Sequence, residues 1–213
     1  GAVLVFAAWD YQDDHKAFLA RIDSLVAQGV PVFNPPDLVR WNIRKTYLRD
    51  MEKRGVPIVP TLWPEHPTAQ DIEDAFGAFG AADVILKRQV GAGARAQQRF
   101  SKQDLPPPGP VLDRPGMIQP FVPAIVTEGE FSFLFVDGEF SHALVKRAAD
   151  GDYRIQEAYG GWSAKIEPAA RDKAQAGAVL EALGEPPLYA RIDMVRDAVG
   201  SLLLMELEVI EPF

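Results

Sequence analysis

Cysteine is absent from this sequence, which excludes disulfides, thiolate metal sites and a cysteine nucleophile. Basic residues are not in excess: 22 Lys and Arg face 30 Asp and Glu, a formal net charge of −8. Nucleic-acid binders normally show the opposite balance. No apolar run approaches the roughly 18 residues of a membrane span, and the three histidines lack the spacing of a metal site. We therefore expect a cytoplasmic protein with no nucleic-acid or membrane partner.

The first sixty of the 213 residues alternate between short apolar runs and helical patterns. We expect strands at residues 3–8 and 31–33, because each is a short apolar run. Apolar residues at helical spacing between Asp14 and Gly29 predict a helix, and a second helix is expected over residues 43–54. This alternation favours an α/β unit with a parallel sheet.

The pattern changes after residue 116, where strands follow one another directly. One long helix, over residues 169–183, interrupts the predicted strands at 117–119, 130–136, 139–146, 189–195 and 202–210. Such an order favours an antiparallel sheet in an α+β body. The stretch before it is predicted to contain a helix at 68–79, a strand at 83–87, and loops at 90–95 and 101–116.

Two glutamates near the end of the chain could bind a metal ion. Side chains alternate along a strand, so Glu206 and Glu208 share one face. The predicted hairpin places Asp193 opposite Leu204, close to Glu206. Two carboxylates about 7 Å apart repel by roughly 2 kcal/mol at an effective dielectric near 20, and a hard cation such as Mg²⁺ would relieve this repulsion. The alternative is a solvated strand face, which an E-x-E pattern on an edge strand also satisfies.

Three weaker patterns could serve a nucleotide. Lys87 ends an apolar strand beside the small-residue loop 91–94, where an ammonium and backbone N–H groups could meet phosphate. The proline-bounded segment 117–123 could offer backbone groups to an adenine edge. Lys45 near a helix start would be favoured by a nearby phosphate. Each has an ordinary alternative: a glycine hairpin, a core strand and a surface lysine.

In chain order, these patterns resemble the ATP-grasp superfamily. The order is Asn34-Pro35-Pro36 with a downstream lysine, Ile85-Leu86-Lys87 before a glycine loop, Met117-Ile118-Gln119-Pro120-Phe121, and Asp193 with Glu206-Leu207-Glu208. Within the superfamily the chain is most similar to prokaryotic glutathione-synthetase-like ligases, and among these to the cyclo-ligases of cycloserine biosynthesis. The resemblance covers nearly the whole chain from Asp10 onward.

The resemblance implies a set of nucleotide-binding residues. They comprise two phosphate-binding lysines, the loop that closes over the phosphates, the adenine linker and an acidic residue near the ribose: Lys45, Lys87, Gly91, Gly93, Gln119, Phe121, Val122 and Glu130. The cofactors implied are ATP and Mg²⁺, with Mn²⁺ as an alternative ion.

The resemblance also implies metal ligands and catalytic residues. The magnesium ions that bridge the ATP phosphates would be held by Asp193, Glu206 and Glu208. Lys146 and Arg154 would meet the transferred phosphoryl group and the substrate carboxylate, with Arg147 as the alternative to Lys146.

The implied fold is an ATP-grasp fold of mixed α/β and α+β type, in which two α+β lobes sandwich ATP. Its expected parts are a partial N-terminal α/β unit (1–42), a small lobe (43–116) and a C-terminal lobe with the metal site (117–213). The family usually carries a further α/β unit before the first strand, and more chain after the last one.

The implied reaction is ATP-dependent ligation of a carboxylate to an amine through an acyl phosphate, on a small amino-acid-like substrate. An intramolecular cyclisation of the cycloserine type is one form of it. Two alternatives stay open: a nucleotide-binding module that is inactive or regulatory, and an ATP-grasp kinase that phosphorylates a small molecule. A homodimer is expected, because the superfamily is often dimeric.

Overall fold

Residues 1–212 are described by the structure, a computed structural model, and they contain ten β-strands and six α-helices. The strands are β1 (Val3–Leu4), β2 (Val32–Phe33), β3 (Asp83–Arg88), β4 (Gln98–Ser101), β5 (Gly116–Pro120), β6 (Glu130–Val136), β7 (Glu139–Arg147), β8 (Trp162–Ile166), β9 (Tyr189–Arg196) and β10 (Leu202–Glu208). The helices are α1 (His15–Ala27), α2 (Pro36–Asn42), α3 (Tyr47–Lys53), α4 (Ala69–Phe79), α5 (Ala124–Thr127) and α6 (Ala170–Glu181). Across this described part, no helix is long and apolar enough to span a membrane.

The chain divides into two compact units. The first contains residues 1–58 together with the chain from residue 124 onward, and the second contains residues 59–123. This division differs from the predicted one, whose boundaries follow residues 42 and 116.

The difference arises because residues 43–58 pack along the last strand of the first unit. The Leu207 N–H donates a hydrogen bond to the Tyr47 hydroxyl, and the Leu204 N–H donates one to the Pro57 carbonyl, both at 2.8 Å. These contacts join segments about 150 residues apart. Hydrophobic periodicity reports only local structure, so it does not reveal them.

The first unit is built on a five-stranded antiparallel sheet of order β10-β9-β6-β7-β8. Strands β6, β7 and β9 lie where the sequence predicts them, and α6 confirms the predicted long helix. Strand β8 was not predicted. It lies at the sheet edge with no buried side chain, so it lacks the apolar alternation that marks a half-buried strand.

The beginning of the first unit confirms the predicted α/β pattern. Strands β1 and β2 pair in parallel, although β1 is shorter than the predicted run at residues 3–8. Helix α1 starts after Asp14, whose carboxylate accepts a hydrogen bond from the Ala17 N–H at 3.0 Å. This bond satisfies one of the free N–H groups at the helix start, which explains why the helix begins there.

The single helix predicted over residues 43–54 is wrong. Two short helices, α2 and α3, flank a break at residues 43–46. Helix α2 starts earlier than expected because Pro36 occupies its first position, where a residue without an N–H costs no hydrogen bond. Lys45 consequently lies in the break and not at a helix start.

The second unit has a three-stranded antiparallel sheet of order β4-β3-β5, covered by α4. A capping box starts α4: the Thr68 hydroxyl accepts from the Asp71 N–H, and the Asp71 carboxylate accepts from the Thr68 N–H. The apolar core consists of Ile72, Ala75, Phe76, Val84, Leu86, Phe100, Leu112 and Ile118. Helix α4 and strands β3 and β5 confirm the prediction, whereas β4 was not predicted.

Candidate active site

The final hairpin of the first unit carries the predicted metal carboxylates. Glu206 lies opposite Asp193 across the β9–β10 pair, whereas the predicted register placed Leu204 there. Leu204 pairs instead with Met194, one residue nearer the turn, and a β-bulge at Met205 then adds one residue to β10. The bulge therefore places Glu206, and not Met205, opposite Asp193.

Asp193 lies in the middle of a buried ion-pair network. Its carboxylate accepts hydrogen bonds from Arg191 Nε at 2.9 Å and from Ser132 Oγ at 2.5 Å, and Lys146 Nζ lies 3.3 Å from Oδ1. Burial alone would raise the pKa of Asp193, but Arg191 and Lys146 outweigh burial and hold this pKa well below its usual value. Asp193 is ionised and paired with cations.

Lys146 joins Asp193 to a second buried carboxylate. Its Nζ lies 3.1 Å from Glu130 Oε1. Burial raises the pKa of Glu130 to about 7, and the charge of Lys146 opposes this rise. The neighbouring Arg147 donates instead to the Thr127 carbonyl at 3.1 Å. Lys146, and not Arg147, is therefore the basic residue that faces the carboxylates.

Lys45 reaches the same network from the break between α2 and α3. It is buried and forms an ion pair with Glu206. Burial lowers the pKa of Lys45, but Glu206 and Glu208 together outweigh it, so the pKa is raised and the ammonium stays charged.

Two further glutamates at the end of β10 and just beyond it are buried without sufficient countercharge. Burial and the charges of Glu206 and Glu211 raise the pKa of Glu208 well above its usual value, although Arg191 Nη2 lies 3.7 Å from its Oε1. Glu211 is 2% exposed, and within residues 1–212 neither of its carboxylate oxygens accepts a hydrogen bond of ordinary geometry, although the Tyr11 hydroxyl interacts with this carboxylate. Burial raises the pKa of Glu211 to about 7, whereas Lys45 lowers it. The nearby Tyr11 hydroxyl has its pKa raised by burial and by these carboxylates.

The network has more carboxylates than cations, and this bears on metal binding. Its ionisable members are five carboxylates and three basic side chains: Glu130, Asp193, Glu206, Glu208 and Glu211, with Lys45, Lys146 and Arg191. If all were ionised, two negative charges would remain, and one divalent cation would neutralise them.

The donor chemistry fits magnesium, since hard cations take carboxylate oxygens and buried carboxylates without partners gain most from one. The geometry is not preassembled, however. Over residues 1–212, no group of three or more Asp, Glu or His side chains is arranged so that it could hold a metal ion. Arg191 and Lys45 hold two of the predicted ligands, Asp193 and Glu206, in ion pairs.

Arg154, predicted to be catalytic, lies in the loop between β7 and β8. Its guanidinium pairs with Asp152 at 2.7 Å and stacks over the Tyr159 ring, with 3.7 Å from Cζ to the ring centroid. The structure therefore joins it to a local loop cluster and not to the Asp193 network.

Lys87 and the glycine loop belong to the second unit. Lys87 is the fifth residue of β3 and lies opposite Met117 of β5, and the loop with Gly91 follows this end of β3. Gly93 has a φ of 63° and Ala94 a φ of 55°. Glycine adopts this left-handed backbone freely, whereas alanine is strained by about 1–2 kcal/mol.

The predicted adenine linker also belongs to the second unit. Gln119 is buried in β5, and its amide donates to the Thr61 hydroxyl at 3.0 Å. The Phe121 N–H donates to the Asp83 carbonyl at 2.9 Å, so this amide is already engaged. Val122 follows and is half-buried.

Four residues of the first unit's network were not predicted from the sequence: Tyr11, Ser132, Arg191 and Glu211. A signal existed for Arg191, because residues two apart on a strand share a face and Asp193 was already a candidate. Tyr11 and Ser132 reach the network through tertiary packing, which no local pattern reports.

The chain is similar in sequence and in structure to a characterised biosynthetic protein. No protein-family model matches the chain. The cycloserine biosynthesis protein DcsG of Streptomyces lavendulae is 28% identical over 229 aligned residues, which cover 99% of this chain and 76% of that protein. The crystal structure of the D-cycloserine synthetase DcsG superposes with a TM-score of 0.82 at 25% identity, covering 100% of this chain and 77% of that one.

More distant structures share the fold. D-alanine–D-alanine ligase from Bacillus anthracis gives a TM-score of 0.66 at 18% identity, covering 88% of this chain and 64% of that one. The ATP-grasp ligase PsnB, solved with Mg and ADP, gives 0.64 at 19% identity over 93% and 63% of the two chains. The fold is thus the ATP-grasp fold, and the chain is an enzyme of the ATP-grasp ligase class. Within that class it is a homologue of DcsG.

Proposed function

We propose that this chain is an ATP-dependent carboxylate–amine ligase that works through an acyl phosphate. A substrate carboxylate oxygen attacks the γ-phosphorus of ATP, the bond from that phosphorus to the β–γ bridging oxygen breaks, and ADP leaves. A substrate amine then attacks the acyl carbon, phosphate leaves, and the nitrogen gives a proton to solvent. The substrate is small and amino-acid-like, and homology to DcsG favours ring closure within one molecule.

The observation that supports this most is the acidic excess of the first unit. Burying four carboxylates beside two basic groups, with Glu206 and Lys146 partly exposed next to them, is costly in the absence of a further cation. A binding function explains why a stable fold would keep such a cluster, and the homology to a synthetase extends over 99% of the chain.

The proposed metal ligands are Asp193, Glu206 and Glu208. A bound Mg²⁺ or Mn²⁺ would supply positive charge to the phosphates during transfer. For these residues to bind it, Lys45 must leave Glu206 and Arg191 must leave Asp193. The two released cations would then be available for phosphate oxygens, which is the role proposed for Lys45.

Other basic residues would act by electrostatics and positioning. Lys146 is held in place by Glu130 and Asp193 and would stabilise the transferred phosphoryl group, which develops charge on its oxygens. Arg154 would bind the substrate carboxylate, since a planar guanidinium matches a carboxylate in two parallel hydrogen bonds.

The second unit would supply nucleotide contacts. Lys87 and the loop with Gly91 and Gly93 would hold phosphates, and the linker from Gln119 through Phe121 and Val122 would contact adenine. Glu130 keeps its predicted role near the ribose, although burial and Lys146 already engage it.

Product analysis tests this function. The protein is incubated with ATP, Mg²⁺ and a panel of amino-acid-like carboxylates and amines, and Glu208→Gln serves as the matched control. We expect ADP, phosphate and a product whose mass equals the substrates less one water. A stable phosphorylated product would instead indicate a kinase, and ATP binding without turnover would indicate an inactive or regulatory module; either result would contradict the ligase.

Two further expectations remain proposals. A homodimer is checked by light scattering of the purified chain over a range of concentrations. A cytoplasmic location fits a sequence with no cysteine and is checked by fractionation of cells that express the protein.

A further inference from the structure

Strand β10 lies at an edge of its sheet, and its outer backbone groups are satisfied in an unusual way. Edge strands normally present unpaired N–H and C=O groups. Here Asn34 Nδ2 donates to the Val209 carbonyl just after the strand at 2.9 Å, and the Leu204 N–H donates to the Pro57 carbonyl at 2.8 Å. The outer edge is therefore closed by loop and side-chain groups and not by another strand.

Both outer backbone groups of Leu207, the residue between Glu206 and Glu208, form hydrogen bonds to side chains. Asn42 Nδ2 donates to the Leu207 carbonyl, and the Leu207 N–H donates to the Tyr47 hydroxyl, both at 2.8 Å and both buried. The N–H and the C=O of this one residue are thus both held by side chains. Since Glu206 and Glu208 adjoin this residue, its backbone position sets the direction in which both glutamate side chains leave the strand.

Asn42 and Tyr47 also border the segment that carries Lys45. Asn42 is the last residue of α2, and Tyr47 is the first residue of α3. The two hydrogen bonds therefore fix both ends of the break against β10. They keep the Lys45 ammonium beside Glu206, its ion-pair partner.

We propose that Asn42 and Tyr47 are positioning residues for the cation site: they fix the Glu206–Leu207–Glu208 backbone and the Lys45 segment relative to each other. The inference rests on the proposed function, because it assumes that Glu206 and Glu208 bind a divalent ion. Groups that orient metal ligands without touching the metal typically contribute about 10–100-fold in metal affinity.

The test removes one hydroxyl and keeps the ring. Tyr47→Phe loses the acceptor for the Leu207 N–H while its ring can keep the contact with Trp41, 5.2 Å between centroids. Tyr189→Phe is the matched control, because that hydroxyl is also buried and donates to backbone carbonyls, those of Val5 and Phe33. Asn42→Ser provides a second change at the same peptide position.

The readout is the Mn²⁺ dissociation constant measured by calorimetry with saturating ADP, and thermal melts confirm that each variant is folded. We expect Tyr47→Phe and Asn42→Ser to weaken Mn²⁺ binding by about 10-fold or more. Tyr189→Phe should stay within about twofold of the parent, because its hydroxyl donates to the carbonyls of Val5 and Phe33 and not to the backbone of residues 206–208.

Equal Mn²⁺ affinities for Tyr47→Phe and Tyr189→Phe, with the parent binding Mn²⁺, would overturn the positioning role alone. Failure of the parent itself to bind Mn²⁺ with ADP would overturn both this inference and the proposed function.

Discussion

The second unit encloses a cluster of apolar side chains, whereas the first unit buries four carboxylates and two basic groups around β9 and β10, with Glu206 and Lys146 partly exposed beside them. Apolar burial stabilises the folded chain at any pH by removing hydrocarbon from water. A buried network with excess negative charge depends on protonation and on added cations. The comparison teaches that one chain can contain a region specialised for stability and another in which stability is reduced at a binding site.

The largest expected effect comes from removing the carboxylates that distinguish the first unit. The double variant Glu206→Ala/Glu208→Ala should lose more than about 100-fold in Mg²⁺-dependent ADP affinity, because even residues behind a metal ligand contribute about 10–100-fold. Calorimetry with ADP and Mg²⁺ measures this loss. Glu73→Ala, which removes an exposed glutamate from α4, is the control and should bind Mg²⁺ and ADP as the parent does. A double variant that binds Mg²⁺–ADP normally would show that the metal ligands are assigned to the wrong residues.

A core change in the second unit should behave in the opposite way. Leu86 is completely buried, and Leu86→Ala should cost about 2–5 kcal/mol of unfolding free energy through lost transfer energy and a cavity. Urea unfolding measures it. The loss should be the same at pH 5 and pH 8, because the apolar cluster around Leu86 does not titrate. A loss confined to one pH would remove the distinction between the two regions.

The pH dependence of stability should come from the first unit. The pKa of Glu211 rises from 4.5 to about 7 on folding. Its contribution to stability is therefore full below pH 4.5 and is lost as pH rises through about 7. This shift corresponds to a loss on the order of 3 kcal/mol by pH 8.

Glu211→Gln tests that contribution, since the amide keeps the shape and does not titrate. Between pH 5 and pH 8, urea unfolding of the variant should show a smaller loss of stability than the parent. Equal pH profiles for the two proteins would mean that the ionisation of Glu211 does not cause the loss of stability.

The smallest expected effect lies in the glycine loop of the second unit. Ala94 has a φ of 55°, so Ala94→Gly should relieve left-handed strain and raise stability by about 0.5–1 kcal/mol after the entropy of the unfolded glycine is counted. Ala92→Gly in the same loop should give no gain, because Ala92 is not among the residues with positive φ. Equal effects of the two changes would show that the backbone strain is not significant.

The sequence predicted the second unit's sheet and helix better than the first unit's network. Val84, Leu86 and Ile118 are apolar residues of short local runs, which periodicity reports. Strand β8 was missed because none of its side chains is buried. The break at residues 43–46 was missed because the contacts that hold it come from β10.

The candidate site was predicted in part. Lys146 lies against Asp193 and Glu206 lies opposite it, yet the predicted register at Asp193 was wrong by two residues. One residue comes from the turn and one from the bulge at Met205, which leaves no clear trace in the sequence. Glu211 was missed because its significance depends on burial beside other carboxylates, which is a property of the folded chain alone.

The central claim is that the acidic network of the first unit serves a divalent cation and a nucleotide. Thermal melts of the whole chain with Mg²⁺, ADP, both or neither test it most directly. Ligand at about 100 times its dissociation constant adds about 2.7 kcal/mol, or roughly 5–10 °C at this size. We predict that shift only when Mg²⁺ and ADP are present together. A cooperative melt at one unchanged temperature under all four conditions would contradict the account.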